Sequence, residues 1–272
     1  MKKTTTLFAL GLCLSGGAFA QTWNQIYTYD VQEPVWDEPR VAVSADNIIM
    51  VGMETIRSGR KLERSADGGQ NWTTISSDFQ TAFMGFDGNN NLYLVSEKKN
   101  QNVSTNYMDS LWFSNDGGIN IQAVDDIIDN GVRKENFYIS ADNDFYTVIN
   151  GVGPNSKQQL GTYNNGQQTG TLNSPFSVGS SSLRGIIKLS NGNLVTSSYN
   201  DGVHYSTDGG STWVESMNDD VIGTSTFTSF AEANNGTLFL AGVSLKQCTD
   251  GGETWTDAPL TLNWVSTVKK MR

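Results

Sequence analysis

The sequence predicts an all-β repeat fold, a propeller or solenoid made of four-stranded antiparallel units. Three observations carry that expectation. An octapeptide typified by Ser206-Thr207-Asp208-Gly209-Gly210-Ser211-Thr212-Trp213 recurs along the chain. Each copy is preceded by a short apolar run, a Gly/Asn/Asp turn and a second apolar run, the pattern of a hairpin. No stretch sustains a helical period. Counting a worn copy at 162–169, in which Asn164 replaces Asp, the central position falls at 67, 116, 164, 208 and 250. Self-similarity at that spacing is the signature of stacked supersecondary units.

The other copies are Ser65-Ala66-Asp67-Gly68-Gly69-Gln70-Asn71-Trp72, Ser114-Asn115-Asp116-Gly117-Gly118-Ile119-Asn120-Ile121 and Cys248-Thr249-Asp250-Gly251-Gly252-Glu253-Thr254-Trp255. Each reads as a turn. The Asp side chain accepts backbone N–H groups a residue or two further on, and the glycines supply positive φ. Trp72, Trp213 and Trp255 then open the returning strand, and each is expected to bury roughly 150–250 Å² between neighbouring sheets. Asp67, Asp116, Asp208 and Asp250 also admit reading as acids or metal ligands. Catalysis needs one convergent pair of carboxylates, whereas these recur once per unit, which favours the structural role.

The pattern Ser-x-Asp-x-Gly-x-Thr-Trp resembles the Asp-box, or bacterial neuraminidase repeat, found in sialidase-like and sortilin-like propellers. That resemblance implies a β-propeller of four-stranded antiparallel blades, with the box between the third and fourth strands of each blade. It does not imply sialidase activity. Similar boxes occur in sortilin-type receptors, photosystem II assembly factors and xyloglucanases, so the motif speaks to fold more than to function.

From the start of the chain, Met1-Lys2-Lys3, the apolar run Leu7–Leu14 and Ala18-Phe19-Ala20 have the three parts of a secretory signal peptide. Residues 1–20 are expected to be removed and 21–272 to form a single propeller domain, periplasmic or extracellular. The apolar run is shorter than the ~20 residues of a membrane span, so no membrane insertion is expected. Leu12 stands where a lipoprotein signal wants a small residue before Cys13. Cleavage removes two lysines and no acid, moving the net charge from −10 to −12. A chain so acidic excludes nucleic acid as a natural partner. Cys248 alone survives maturation, so no intramolecular disulfide is expected, and its place in a box marks it as a small turn residue.

Five units follow. Their first strands are expected near Arg40–Val43, Ala82–Phe86, Asn136–Ile139, Gly185–Leu189 and Thr226–Phe230. Turns follow at 44–47, 87–91, 140–143, 190–193 and 234–237, and then second strands such as Leu92–Val95, Leu194–Thr196 and Leu238–Ala241. A loose fourth strand after Trp23 and a loose first strand at Val265–Val268 read as remnants of a sixth blade.

Turns between first and second strands, and between third and fourth, share one face of a propeller. The long, dissimilar connections share the other, and scaffolds place function on irregular loops. Within them, Trp36-Asp37-Glu38-Pro39-Arg40 sets an aromatic ring beside carboxylates and a guanidinium, a grouping suited to stacking on a sugar. The same residues also suit a loop anchor with a surface ion pair. Arg57, Arg60 and Lys61, with Lys98 and Lys99, form the basic concentration of the chain, fit to meet an anionic glycan or to balance charge. Asp125, Asp126 and Asp129, and Asp219 with Asp220, match no calcium loop. No metal or cofactor is expected.

Sialidases of the Asp-box type hold their substrate carboxylate with three arginines, the first in an Arg-Ile-Pro motif. This chain has Pro39-Arg40-Val41 instead, and a triad would have to come from Arg40, Arg133 and Arg184 with no evident Tyr/Glu pair. His204, the single histidine, precedes a box on a third strand and supports neither a catalytic triad nor a histidine metal site. The functional expectation is therefore an exported, non-catalytic module that binds a protein or glycan, with a sialidase-like glycoside hydrolase as the alternative.

Overall fold

The computed structural model describes residues 3–9, 24–31, 40–55, 59–77, 79, 81–99, 107–127, 137–149, 159–173, 175, 183–198, 201–217, 229–242 and 244–259. They form twenty-two strands and no helix. Strand β1 (Lys3–Ala9) pairs antiparallel with β2 (Asn24–Val31) in a two-stranded sheet. The rest build five four-stranded antiparallel blades. Blade I holds β3 (Arg40–Val43), β4 (Ile49–Thr55), β5 (Gly59–Ser65) and β6 (Thr73–Ser76). Blade II holds β7 (Thr81–Phe86), β8 (Leu92–Lys99), β9 (Tyr107–Ser114) and β10 (Gln122–Ile127). Blade III holds β11 (Tyr138–Ile139), β12 (Phe145–Ile149), β13 (Gln159–Asn164) and β14 (Gln167–Asn173). Blade IV holds β15 (Leu183–Lys188), β16 (Leu194–Ser198), β17 (Val203–Ser206) and β18 (Val214–Met217). Blade V holds β19 (Ser229–Glu232), β20 (Leu238–Ala241), β21 (Leu245–Cys248) and β22 (Thr256–Asp257).

The strands within a blade pair in chain order, and first strands of neighbouring blades meet, β3 with β7, β11 with β15 and β15 with β19. First strands are therefore innermost and fourth strands lie at the rim. The expected first strand at Arg40–Val43 forms as read. The other four shift: β7 begins one residue early at Thr81, β11 is confined to Tyr138–Ile139, the fourth blade begins at Leu183, and β19 runs Ser229–Glu232, beyond the expected Phe230. Of the sixth-blade remnants, the strand after Trp23 exists as β2 with β1 as its partner, and Val265–Val268 lie outside the described residues.

The core is layered between blades. Ala42, Met50 and Leu62 of blade I pack on Met84, Leu92 and Leu94 of blade II, and Tyr93, Val95 and Leu111 of blade II pack on Phe137, Phe145 and Tyr163 of blade III. Tyr146 and Leu160 of blade III meet Ile186 and Leu194 of blade IV, and Val195 and Val203 meet Leu238 and Leu240 of blade V. Trp213 joins the blade III–IV cluster and Trp255 the blade IV–V cluster, where its indole N–H donates to Ser216 Oγ at 3.1 Å. Ile121, at the Trp position of the second box, seals blades I and II in the same way. Trp72 departs from the expectation: it rests on Ile49, Val51 and Met53 of its own sheet and donates to the Gly69 carbonyl.

The box geometry refines the sequence reading. In blade IV, Ser206 Oγ donates to Asp208 Oδ1 at 2.8 Å and accepts the Gly210 N–H at 2.8 Å. Asp208 accepts the Thr212 N–H at 2.9 Å and the Thr212 hydroxyl at 2.6 Å. Asp67, Asp116 and Asp250 accept N–H groups three and four residues on, not one or two, because the loop is a wide turn and not an Asx turn. Cys248 takes the Ser role, its thiol donating to Asp250 Oδ1 and accepting the Gly252 N–H.

These bonds favour the ionised carboxylate. The Thr212 hydroxyl and N–H hold Asp208 at about 2, and the Asn71 N–H and side chain do the same for Asp67. For Asp116 and Asp250 partial burial pushes upward, but the hydrogen bonds together outweigh it and again give about 2. A depressed carboxylate stabilises above its unfolded value, near 3.8, and that contribution is lost as pH falls through about 2. Asp208→Asn is therefore expected to lower the melting temperature at pH 7, with the gap from wild type closing as pH approaches 2. A gap that stays constant over that range in thermal melts would remove the ionised carboxylate from the box.

Candidate functional site

The two faces of the propeller are built differently. On the box face, the five first hairpins share one geometry: the first residue's N–H bonds the carbonyl four residues on and its carbonyl accepts the N–H three residues on. The pairs are Ser44 with Ile48 and Asn47, Asp87 with Asn91 and Asn90, Ser140 with Asp144 and Asn143, Leu189 with Asn193 and Gly192, and Ala233 with Thr237 and Gly236. Asn47, Asn90, Asn143, Gly192 and Gly236 have positive φ, as a type I turn followed by a left-handed residue requires. Side chains stitch each turn to the next. Asn90 Oδ1 accepts the Ala45 N–H, Asn143 Oδ1 accepts the Gly88 N–H, Lys188 pairs with Asp142 and Asp144, and Glu232 accepts the Ser190 N–H and hydroxyl. This face spends its polar groups on holding blades together.

Toward the opposite, long-loop end the second strands change character. Along β8, Leu92, Tyr93, Leu94 and Val95 lead to Ser96; along β16, Leu194 and Val195 lead to Thr196, Ser197 and Ser198, and all of these are buried. Thr147 stands at the level of Thr196 and Ala241 and Gly52 at that of Ser197, whereas blade I has the buried Met53 at the level of Ser96 and Ser198. Some of the hydroxyls are satisfied, with Trp112 Nε1 donating to Ser96 Oγ and Thr196 Oγ1 donating to the Gly185 carbonyl. Thr81 Oγ1 and Ser197 Oγ are buried with no hydrogen-bond partner. Leaving such a group unmade costs about 1–3 kcal/mol, and both sit at the long-loop end of their strands.

The sequence-predicted residues fall as follows. Arg40 starts β3, opposite Gly52, and is half-buried; Arg60 lies on β5 opposite Glu54. Arg184 occupies the bulge of β15 between Leu183 and Gly185. All three positions are at the long-loop ends of their strands, but Arg40 and Arg184 belong to blades I and IV, which are not consecutive. Trp36, Asp37, Glu38, Arg57, Arg133, Asp129, Asp219 and Asp220 lie outside the described residues. Lys61 forms an ion pair with the buried Glu63, consistent with charge balance. Lys98 and Lys99 end β8, and Asp125 and Asp126 lie on β10. Among the described residues no cluster of three or more His, Cys, Asp or Glu side chains could hold a metal ion.

His204 lies on β17 between Thr196 and Glu215, and burial lowers its pKa, so the ring is neutral at pH 7. Burial raises the Cys248 thiol pKa, the reverse of an activated nucleophile. The residues missed from the sequence are Thr81 and Ser197. The drift from large apolar to small hydroxylated residues along LVTSS was the signal available for Ser197, whereas Thr81 opens the separate strand TAFMGF.

No protein-family model matches the sequence, and no curated protein matches it either. Solved structures do. YCF48 bound to D1 peptide superposes over 87% of this chain and 71% of its own, with a TM-score of 0.59 and 19% identity. An α-L-arabinanase from Penicillium chrysogenum complexed with arabinobiose covers 85% of this chain and 83% of its own, with a TM-score of 0.50 and 14% identity. An α-L-arabinofuranosidase from Fusarium graminearum with an iminosugar inhibitor covers the same shares, with a TM-score of 0.51 and 12% identity. What the chain shares with all three is the β-propeller of four-stranded blades, a fold common to a peptide-bound protein and to sugar-cleaving enzymes.

Proposed function

We propose that the chain is an exported, non-catalytic propeller of the Asp-box type that binds a protein or glycan through its long-loop face. The observation that carries this reading is the asymmetry of the faces. Short, mutually hydrogen-bonded turns close one, whereas the strand ends at the other, from which the sequence runs its long, dissimilar connections, carry small and hydroxylated side chains that include the buried Thr81 and Ser197. The neighbours agree with such use of the fold, one holding a peptide and another arabinobiose. Export with cleavage after Ala20 removes β1, the partner of β2.

The test is a glycan and peptide array of the mature protein, residues 21–272, with released sugars followed by mass spectrometry. Selective retention of one ligand class with no trimmed product is the expected result. A trimmed product moves the reading to a glycoside hydrolase, and a folded sample that retains nothing overturns it. Trp36→Ala is expected to weaken the ligand found by about tenfold or more, as loss of a central aromatic anchor does, with an unchanged melting temperature. Unchanged affinity in a titration would remove Trp36 from the site.

A further inference from the structure

We propose that a groove between blades II and III, at the rim and on the box side, binds a neutral sugar unit. It is separate from the long-loop face and does not depend on that reading. The groove has a volume of about 430 Å³ and is lined by Phe113, Gln122, Ala123 and Val124 of blade II and by Tyr163, Gly166, Gln167 and Gln168 of blade III. That volume lies within the roughly 300–1,000 Å³ of small-molecule sites.

The groove is where the worn box lies. Blade III has no box loop. Asn165 and Gly166, at φ 47° and 70°, make a two-residue turn in which Asn164 pairs directly with Gln167. The position of Trp213 and Trp255 is taken by Thr169, which is exposed and bonds Thr162 Oγ1 at 3.0 Å. The bulge moves as well. In blades I, II and IV it falls on Ile75, Val124 and Ser216, three residues after the Trp position, but in blade III it falls on Thr169 itself. No indole therefore enters the cleft on the blade II side, although Gly166 still packs against the Phe113 ring, as Gly210 does against Leu172.

The lining defines the ligand. Three glutamine amides, from Gln122, Gln167 and Gln168, each offer donors and an acceptor, the mixed capacity that sugar hydroxyls match. Gln167 Nε2 donates to the Gly166 carbonyl at 3.2 Å and Gln168 Nε2 reaches Thr171 Oγ1 at 3.5 Å, holding both side chains at the mouth. Half-buried Phe113 and Val124 provide an apolar wall for ring C–H groups, and fully buried Tyr163 forms the floor. Among the described residues no charged side chain lines the groove. An ion entering it would lose hydration without a counter-charge, which selects a neutral saccharide.

Saturation-transfer NMR with cellobiose and maltose, and with sialyllactose as the anionic control, tests the proposal on purified protein. Transfer to a neutral disaccharide is expected, with at least tenfold weaker binding in the Gln167→Ala/Gln168→Ala double variant. Ala123→Trp, which fills the groove from an exposed position, is expected to abolish binding while melting as wild type does. Absence of transfer to either neutral sugar overturns the proposal, as does equal binding of sialyllactose. Binding that survives both groove variants but falls with Trp36→Ala assigns the sugar to the long-loop face and overturns the groove.

Discussion

Phe145→Ala is expected to lower the stability of the propeller by about 3–5 kcal/mol, the usual cost of deleting a fully buried phenyl ring. Phe145 has no exposed surface and lies at the centre of the blade II–III interface. Its ring stacks on Tyr93 at 5.0 Å with an interplanar angle of 4°, with Phe83 at 5.8 Å, Phe137 at 6.1 Å and Tyr163 at 6.2 Å. Such pairs contribute about 0.5–1.5 kcal/mol beyond their buried area, and alanine removes several at once. Neighbouring sheets fix the rings on both sides, which limits collapse into the cavity. Urea unfolding followed by tryptophan fluorescence measures the change, and a loss under about 1 kcal/mol would mean that the interface closes over the gap.

Gly210→Ala is expected to cost clearly more than Gly209→Ala, although the two glycines are adjacent in the same turn. Both have positive φ, 88° and 71°, so either alanine carries the left-handed penalty of about 1–2 kcal/mol. A Cβ on Gly209 would point into open space. One on Gly210 would lie 2.9 Å from Leu172 Cδ1 and 3.3 Å from Leu172 Cβ, on the fourth strand of the preceding blade. Because the Cβ is involved, rotation of the Leu172 side chain cannot relieve the contact alone, and overpacking adds roughly 1–3 kcal/mol. Equal losses for the two variants in urea unfolding would show that the blades separate easily at this point.

The second glycine of the box thus has a task that its sequence does not announce. From Ser-x-Asp-Gly-Gly alone, both glycines read as turn formers, since positive φ is a property of the local backbone. The close approach of Gly118 to Met50, of Gly210 to Leu172 and of Gly252 to Val195 and Tyr205 involves the preceding blade. Nothing within the octapeptide encodes it.

The same division holds for the candidate site. Hairpin spacing was enough to place Arg40 and Arg184 at the long-loop ends of first strands, because strand direction alternates through turns of a few residues, whereas Arg60, read as part of a loop, lies on β5. Whether they act together depends on the order of blades around the axis, and Arg40 and Arg184 fall in blades I and IV. The worn copy shows the limit most clearly. Alignment matched Asn164 to the box Asp, yet the chain turns through Asn165-Gly166, with Asn164 Nδ2 donating to Asp144 Oδ1.

By itself the sequence determined what short-range chemistry determines: the strands, the five hairpins, the carboxylate-centred turns and the repeat that makes them blades. The tertiary structure alone decided which Trp seals an interface, which hydroxyls are left buried at the long-loop end, and where a missing box opens a groove. Those features join residues that lie some 40 to 75 positions apart, as Asn91 and Asn165 do across blades II and III. Their contact exists only once neighbouring sheets pack face to face, and no local preference of either segment specifies it.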